Sequence, residues 1–294
     1  MIERRIPPLV FLPLALTAFA ANSLLCRAAL GAGAVDPFSF TTLRLGGGAA
    51  LLFLLQAGRG GLPRAARDAR ASAALYVYAL LFSVAYVQMA TGTGALLLFG
   101  TVQLTMLGAS LWRGTRPTRR GWTGLGLAVL GLVWLLLPGL AAPPMLAALA
   151  MAGAGVAWGA YSLCGASRGG DPIARTAWNF ILAAPVAGAV GLLVRTDVVL
   201  TTQGVALALM SGAVTSGLGY VAWYRALPGL SAIGASSAQL CVPLLAALGG
   251  ILWLGEPFTM RLAVSSALIL GGLALVLLPS GSVAKIFMVR ARPR

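Results

Sequence analysis

Leu111-Trp112-Arg113-Gly114-Thr115-Arg116-Pro117-Thr118-Arg119-Arg120 recurs in the second half of the chain as Leu252-Trp253-Leu254-Gly255-Glu256-Pro257-Phe258-Thr259-Met260-Arg261. Both stretches read L-W-x-G-x3-T-x-R. Each then runs through apolar sequence to G-L-x3-L-L-P, Gly131 to Pro138 in the first copy and Gly272 to Pro279 in the second. With Leu127 against Leu268, eleven of 28 aligned positions are identical without a gap. A second echo lies upstream of each copy, where Asp36, Pro37 and Thr41 match Asp171, Pro172 and Thr176 as D-P-x3-T. The chain reads as a duplication, so its fold is to be read in halves.

Composition says what the halves are made of. Of 294 residues, 59% are hydrophobic and 9% charged, against roughly 25% charged in a globular protein. Apolar runs of about twenty residues recur, each long enough to cross a hydrocarbon core about 30 Å thick. This predicts an all-α integral membrane protein. The net charge of +15 sits mostly in short connections between those runs, where it is topological information rather than a nucleic-acid surface. The three cysteines, Cys26, Cys164 and Cys241, lie within apolar segments and imply no disulfide framework or metal site. The absence of histidine excludes imidazole metal sites, triads and His-based proton relays.

Ten spans are predicted at roughly 7–28, 38–57, 73–90, 94–112, 122–138, 145–165, 173–194, 204–224, 231–254 and 262–279. Arg4, Arg5 and Ala18-Phe19-Ala20 imitate a signal peptide, but apolar character continues to Leu30, which makes the segment a first transmembrane helix. Alternate loops collect most of the arginines: Arg59, Arg64, Arg67 and Arg70, then Arg113, Arg116, Arg119 and Arg120, then Arg168, Arg225 and the tail. Arg27, Arg195 and Arg261 fall on the other side, so both termini are expected in the cytoplasm. Five spans per copy is an odd number, so the second copy enters the membrane upside down. The motif carries the flip: Arg113, Arg116 and Arg119 of the first copy are Leu254, Pro257 and Met260 in the second. The organisation expected is two inverted five-helix repeats, 1–140 and 141–282, with a basic tail at 283–294.

With ten spans, the five-plus-five inversion and a P-x12-E pair formed by Pro243 and Glu256, the chain resembles the drug/metabolite transporter superfamily in its EamA-like ten-helix branch. The first copy departs from that pattern, with Val102 and Thr115 at the matching positions. Within the branch, the run from Leu96 to Met106 is similar to the YddG-type exporters of aromatic amino acids. The resemblance implies a bacterial inner-membrane exporter with a central cavity between its halves.

An amino-acid carrier needs polar groups for ammonium and carboxylate and apolar walls for the side chain. Tyr78, Phe82 and Tyr86 recur every four residues on one helical face. Trp158 and Tyr161 stand among Gly153, Gly155 and Gly159, glycines that by themselves read as a packing seam. Tyr220 follows Ser211, Thr215 and Ser216, while Trp223 and Tyr224 read as interfacial belt residues. Ser237 and Gln239 precede Pro243, which frees an upstream carbonyl. Asn22, Gln88 and Gln103 complete the polar candidates. Arg44 and Arg175 lie one or two turns inside their spans, where snorkelling is the expected behaviour, and Arg44 is the candidate for a gate or a substrate carboxylate. Asp36, Asp171 and Glu256 sit at helix ends, and no carboxylate falls at mid-membrane. No cofactor or metal is expected; the partners expected are an amino-acid solute and the lipid bilayer, with no nucleic acid, and the protein is expected to be a monomer. The competing reading is an exporter of cationic aromatic compounds. An intramembrane enzyme lacks the carboxylate pair, histidine or activated nucleophile it would need.

Overall fold

The computed structural model describes residues 10–58, 67–114, 117–139, 142–166, 171–194, 198–230 and 232–277. Among them every element is helical, and the single strand-like pairing is an isolated antiparallel bridge between Val35 and Leu200. The helices are α1 (Phe11–Gly31), α2 (Pro37–Ala57), α3 (Ala69–Tyr86), α4 (Thr91–Trp112), α5 (Arg119–Leu136), α6 (Met145–Ala166) and α7 (Pro172–Leu193). Then α8 (Thr202–Met210) passes through a π-helical segment, Ser211–Leu218, into α9 (Gly219–Ala226). Helices α10 (Ala232–Gln239) and α11 (Cys241–Leu254) meet at Leu240, and α12 (Met260–Leu277) closes the described chain. Nine stretches among the described residues are long and apolar enough to cross a membrane; α5, opened by Arg119 and Arg120, is not one of them. This is the architecture of a multi-pass membrane protein.

The repeated motifs are helix punctuation. Gly114 and Gly255, the shared glycine of L-W-x-G, hold positive φ of 87° and 65° at the ends of α4 and α11, a backbone region open to glycine. Thr118 and Thr259 follow as caps, their hydroxyls accepting from the N–H groups of Gly121 (3.2 Å) and Leu262 (3.1 Å). The D-P-x3-T motif does the same at α2 and α7. Asp36 accepts from Phe38 and Ser39, Asp171 accepts from Ile173, and Thr41 and Thr176 donate back to the carbonyls of Pro37 and Pro172. Proline at the first helical position leaves no N–H to satisfy. A further cap was not foreseen: Asp68 accepts from Arg70 and Ala71, which starts α3 at Ala69 rather than near 73; the helix runs to Tyr86, short of the 90 expected.

Packing follows small residues. On α6, Gly155 and Gly159 leave room for Thr101 and Thr105 of α4, the seam expected of them. Gly212 of the π segment lies directly against the Arg44 backbone of α2, and a Cβ there would collide with the Arg44 carbonyl. Helix α5 packs on α12, where Gly124 and Gly272 bring the two backbones together. Arg261 of the second motif reaches the C-terminus of α5 and donates to the carbonyls of Trp134, Leu135 and Leu137, a cation on the negative end of a helix dipole. The span expected at 231–254 is broken, because Pro243 cannot bond the carbonyl four residues back; the chain turns at Leu240, whose N–H bonds Ser237 at 3.1 Å. Arg4, Arg5, Arg59, Arg64, Thr115, Arg116, Arg168, Arg195 and the tail 283–294 lie outside the described residues.

Candidate functional site

Helices α1, α3, α4, α6, the α8–α9 rod and α10 meet around a narrow cavity of about 30 Å³ at the centre of the bundle, room for a water or two. Its apolar wall is a chain of aromatic rings. Trp158 of α6 lies 4.8 Å from Tyr78, 5.2 Å from Tyr161 and 5.5 Å from Tyr220, stacked on the last at 27°. Phe82 meets Tyr78 at 5.3 Å, and Phe19 of α1 meets Tyr220 at 5.8 Å. Each such pair contributes about 0.5–1.5 kcal/mol beyond the area it buries.

The polar wall comes from α1, the π segment and α10. Asn22 accepts through Oδ1 from the Ser211 hydroxyl (2.7 Å), and the Thr215 hydroxyl shares its one hydrogen between Asn22 Oδ1 (3.2 Å) and the Ser211 carbonyl (2.9 Å); Thr215, Ser216 and Gln239 line the cavity beside it. The wider turn of a π helix recurs at functional sites. Among the described residues lining the cavity there is no Asp or Glu.

Arg44 stands one side chain behind this wall and does not snorkel. It is 2% exposed. Its Nη2 donates to the Tyr78 hydroxyl at 3.1 Å and its Nε to Ser216 Oγ at 3.4 Å, while Nη1 is buried without a hydrogen-bond partner. The guanidinium carbon lies 5.2 Å from the Tyr78 ring centre and 5.0 Å from that of Phe82. An arginine at a helix centre in lipid costs about 2.5–3.5 kcal/mol by insertion scales. Here the ring faces and two hydroxyls offset that cost.

The two ends of the cavity differ. At one end it continues past Trp158, Tyr220 and Gln239 into a vestibule of about 380 Å³ bordered by Gln103, Tyr161, Arg175, Trp223 and Tyr224, within the size range of small-molecule sites, about 300–1,000 Å³. This is the end where Arg67, Arg113, Arg119 and Arg225 lie. Trp223 and Tyr224 thus face the vestibule, and Trp223 touches Phe19 at 5.8 Å. At the other end a polar latch closes the bundle. The Glu256 carboxylate accepts from the Thr91 N–H (2.8 and 2.9 Å) and hydroxyl (3.1 Å). Arg27 Nε pairs with it at 3.4 Å, and Arg27 Nη1 donates to the carbonyls of Tyr86 and Val87. The Tyr86 hydroxyl bonds the Thr91 carbonyl at 3.3 Å. Beyond the latch is a second opening bordered by Gln88, Thr93 and Pro143.

Residues 145–278 match the model of the EamA-like transporter family. An uncharacterized protein of Pseudomonas aeruginosa, PA1977, is 52% identical over 267 residues, covering 90% of this chain and 93% of its own. Residues 145–278 of this chain are a domain of the EamA-like transporter family. A solved protein crystal structure superposes on this EamA-like chain with a TM-score of 0.64, covering 91% of it and 98% of the solved chain, at 21% identity. That likeness is one of fold.

Of the residues singled out in the sequence of this EamA-like protein, Asn22, Tyr78, Phe82, Trp158, Tyr220 and Gln239 line the central cavity. Tyr161 and Gln103 line the vestibule. Tyr86 belongs to the latch and Gln88 to the opening outside it. The Ser237 hydroxyl is buried without a hydrogen-bond partner, and Ser237 lines neither the central cavity nor the vestibule. Sequence reasoning missed Phe19, Ser23, Leu98 and Phe99, which bring α1 and α4 into the cavity. It also missed the pairing of Arg27 with Glu256, whose signal was available: two opposite charges at helix ends on the same side.

Proposed function

We propose that this EamA-like protein is a secondary carrier that exports amino acids, aromatic ones foremost and other neutral ones with them, by alternating access, as a monomer and without a cofactor. The central cavity, continuous with the vestibule through Phe19, Trp158, Tyr220 and Gln239, carries the reading: the two combine aromatic walls with a neutral polar wall, a latch at one end and a mouth at the other. A solute in it touches helices from both halves of the chain, so one rearrangement of the halves exchanges the openings.

Two inverted five-helix repeats supply that rearrangement, and the packing supports them. Contacts of α1 with α8 and α9 are matched by those of α6 with α3; α1 on α11 is matched by α6 on α4, and α2 on the π segment by α7 on α3. The pairs α2 with α7 and α5 with α12 join counterparts directly. The vestibule opens at the arginine-rich end, which the positive-inside rule assigns to the cytoplasm of a bacterial inner membrane. Solute then enters from within.

Cation export is the rival, because the faces of Trp158 and Tyr220 can hold a cation. The absence of Asp and Glu from the described cavity lining weighs against it. Uptake of labelled phenylalanine, tryptophan and threonine by proteoliposomes, with and without a pH gradient, tests the reading. Saturable amino-acid uptake that Trp158→Ala diminishes is the expected result. Movement of a cationic dye with no amino-acid uptake overturns it.

A further inference from the structure

We infer that the cavity recognises its solute through the carboxylate, that Arg44, Tyr78, Ser216 and Asn22 are the groups that do so, and that the amino group is dispensable. The inference builds on the carrier reading above and narrows its substrate class to aromatic carboxylates.

Hydrogen-bond direction carries it. A guanidinium has donors only. Arg44 donates to the Tyr78 hydroxyl and to Ser216 Oγ, so each of these hydroxyls spends an oxygen lone pair on Arg44 and keeps its one hydrogen for another acceptor. Both residues border the cavity. Asn22 likewise spends its carbonyl oxygen on the Ser211 hydroxyl, which leaves its NH2 as the remaining group, and Asn22 borders the cavity as well. Three side chains on three rods thus offer hydrogens to one space. Behind them lie a full positive charge and the unpartnered Nη1 of a residue that is 2% exposed.

A donor set backed by a buried cation is built for an anion. An ammonium meets the opposite situation: no carboxylate on the described lining and repulsion from Arg44, with ring faces as its remaining attraction. The aromatic wall takes the side chain of the solute. The class that satisfies every group is an aromatic ring on a short chain ending in a carboxylate, with or without an α-amino group.

The test uses purified protein and direct binding of labelled phenylalanine and labelled 3-phenylpropionate, with unlabelled 3-phenylpropionamide and phenethylamine as competitors. Binding rather than uptake avoids leakage of uncharged forms across lipid. The expected outcome is that phenylpropionate binds within about ten-fold of phenylalanine, whereas its neutral amide and the amine are each weaker by about thirty-fold or more, the loss of roughly one charge-assisted hydrogen bond. In Arg44→Gln the ratio of carboxylate to amide collapses toward one. Should that variant fail to fold, Tyr78→Phe removes one donor hydrogen and keeps the ring, and the ratio falls about ten-fold. Phenethylamine competing as well as phenylpropionate overturns the inference, even if phenylalanine is transported. Binding of phenylpropionate without phenylalanine upholds it and removes the amino-acid reading instead. Failure of both carboxylates to bind overturns both.

Discussion

Replacing Glu256 by glutamine should open the bundle at the end away from the vestibule. The carboxylate accepts two hydrogen bonds from Thr91 and pairs with Arg27 at 3.4 Å. Hydrogen bonds to a charged group are worth about 1.5–3 kcal/mol against about 0.5–1.5 for neutral ones, and a partly exposed ion pair adds about 0.2–1 kcal/mol. The amide keeps one oxygen for the Thr91 N–H, and Arg27 keeps its bonds to the Tyr86 and Val87 carbonyls, so the latch weakens without vanishing. The net loss is about 2 kcal/mol, which shifts a two-state equilibrium roughly thirty-fold. Leu98 borders the cavity on the inner side of the latch. With Cys26, Cys164 and Cys241 changed to alanine, Leu98→Cys reacts with a membrane-impermeant maleimide supplied from the Glu256 side as often as the latch opens. Its labelling rate should rise about thirty-fold in Glu256→Gln. An unchanged rate, with the protein folded and binding solute, would refute the latch.

Three further outcomes follow from the packing. Trp158→Ala removes three ring contacts, and at about 0.5–1.5 kcal/mol each it should weaken binding of phenylalanine at least ten-fold while changing that of threonine little, as read by equilibrium binding. Gly212→Val places a branched side chain against the α2 backbone at Arg44; overpacking of about 3 kcal/mol should lower the melting temperature in detergent and reduce the folded yield. Arg261→Gln strips the cation from the end of α5, a loss of about 1 kcal/mol visible as a lower melting temperature with binding unaffected.

The helix boundaries were legible wherever a residue acts locally. Asp36-Pro37, Asp171-Pro172, Thr118, Thr259 and the two positive-φ glycines are signals that work within one turn of themselves, so their meaning survives without the rest of the protein. The i, i+4 spacing of Tyr78, Phe82 and Tyr86 placed them on one face for the same reason, although the last of them joined the latch rather than the cavity. Arg44 was harder. Its side chain is long enough either to snorkel or to turn inward, and what decides is Tyr78, Phe82 and Ser216 arriving from other helices. Phe19, Leu98 and Phe99 look like any lipid-facing residue until α1 and α4 are docked. The π segment was read as ordinary helix, since its cause lies in part outside it: Gly212 presses on α2, while Thr215 bonds back to the Ser211 carbonyl at 2.9 Å.

The pairing of α5 with α12 bears on how the chain is made. Helix α5 has two arginines at its start and falls outside the set of stretches apolar enough to span on composition alone, and its close partner is the last described helix. During synthesis it therefore emerges long before the surface that will cover Gly124 and Gly131, and before Arg261 can reach its carbonyl end. Each copy of the duplicated motif completes the other, so a nascent chain stopped at α11 holds a fifth helix in waiting, open to the wrong partner or to the cell's quality control. Helix α12 is the clasp that ends this interval.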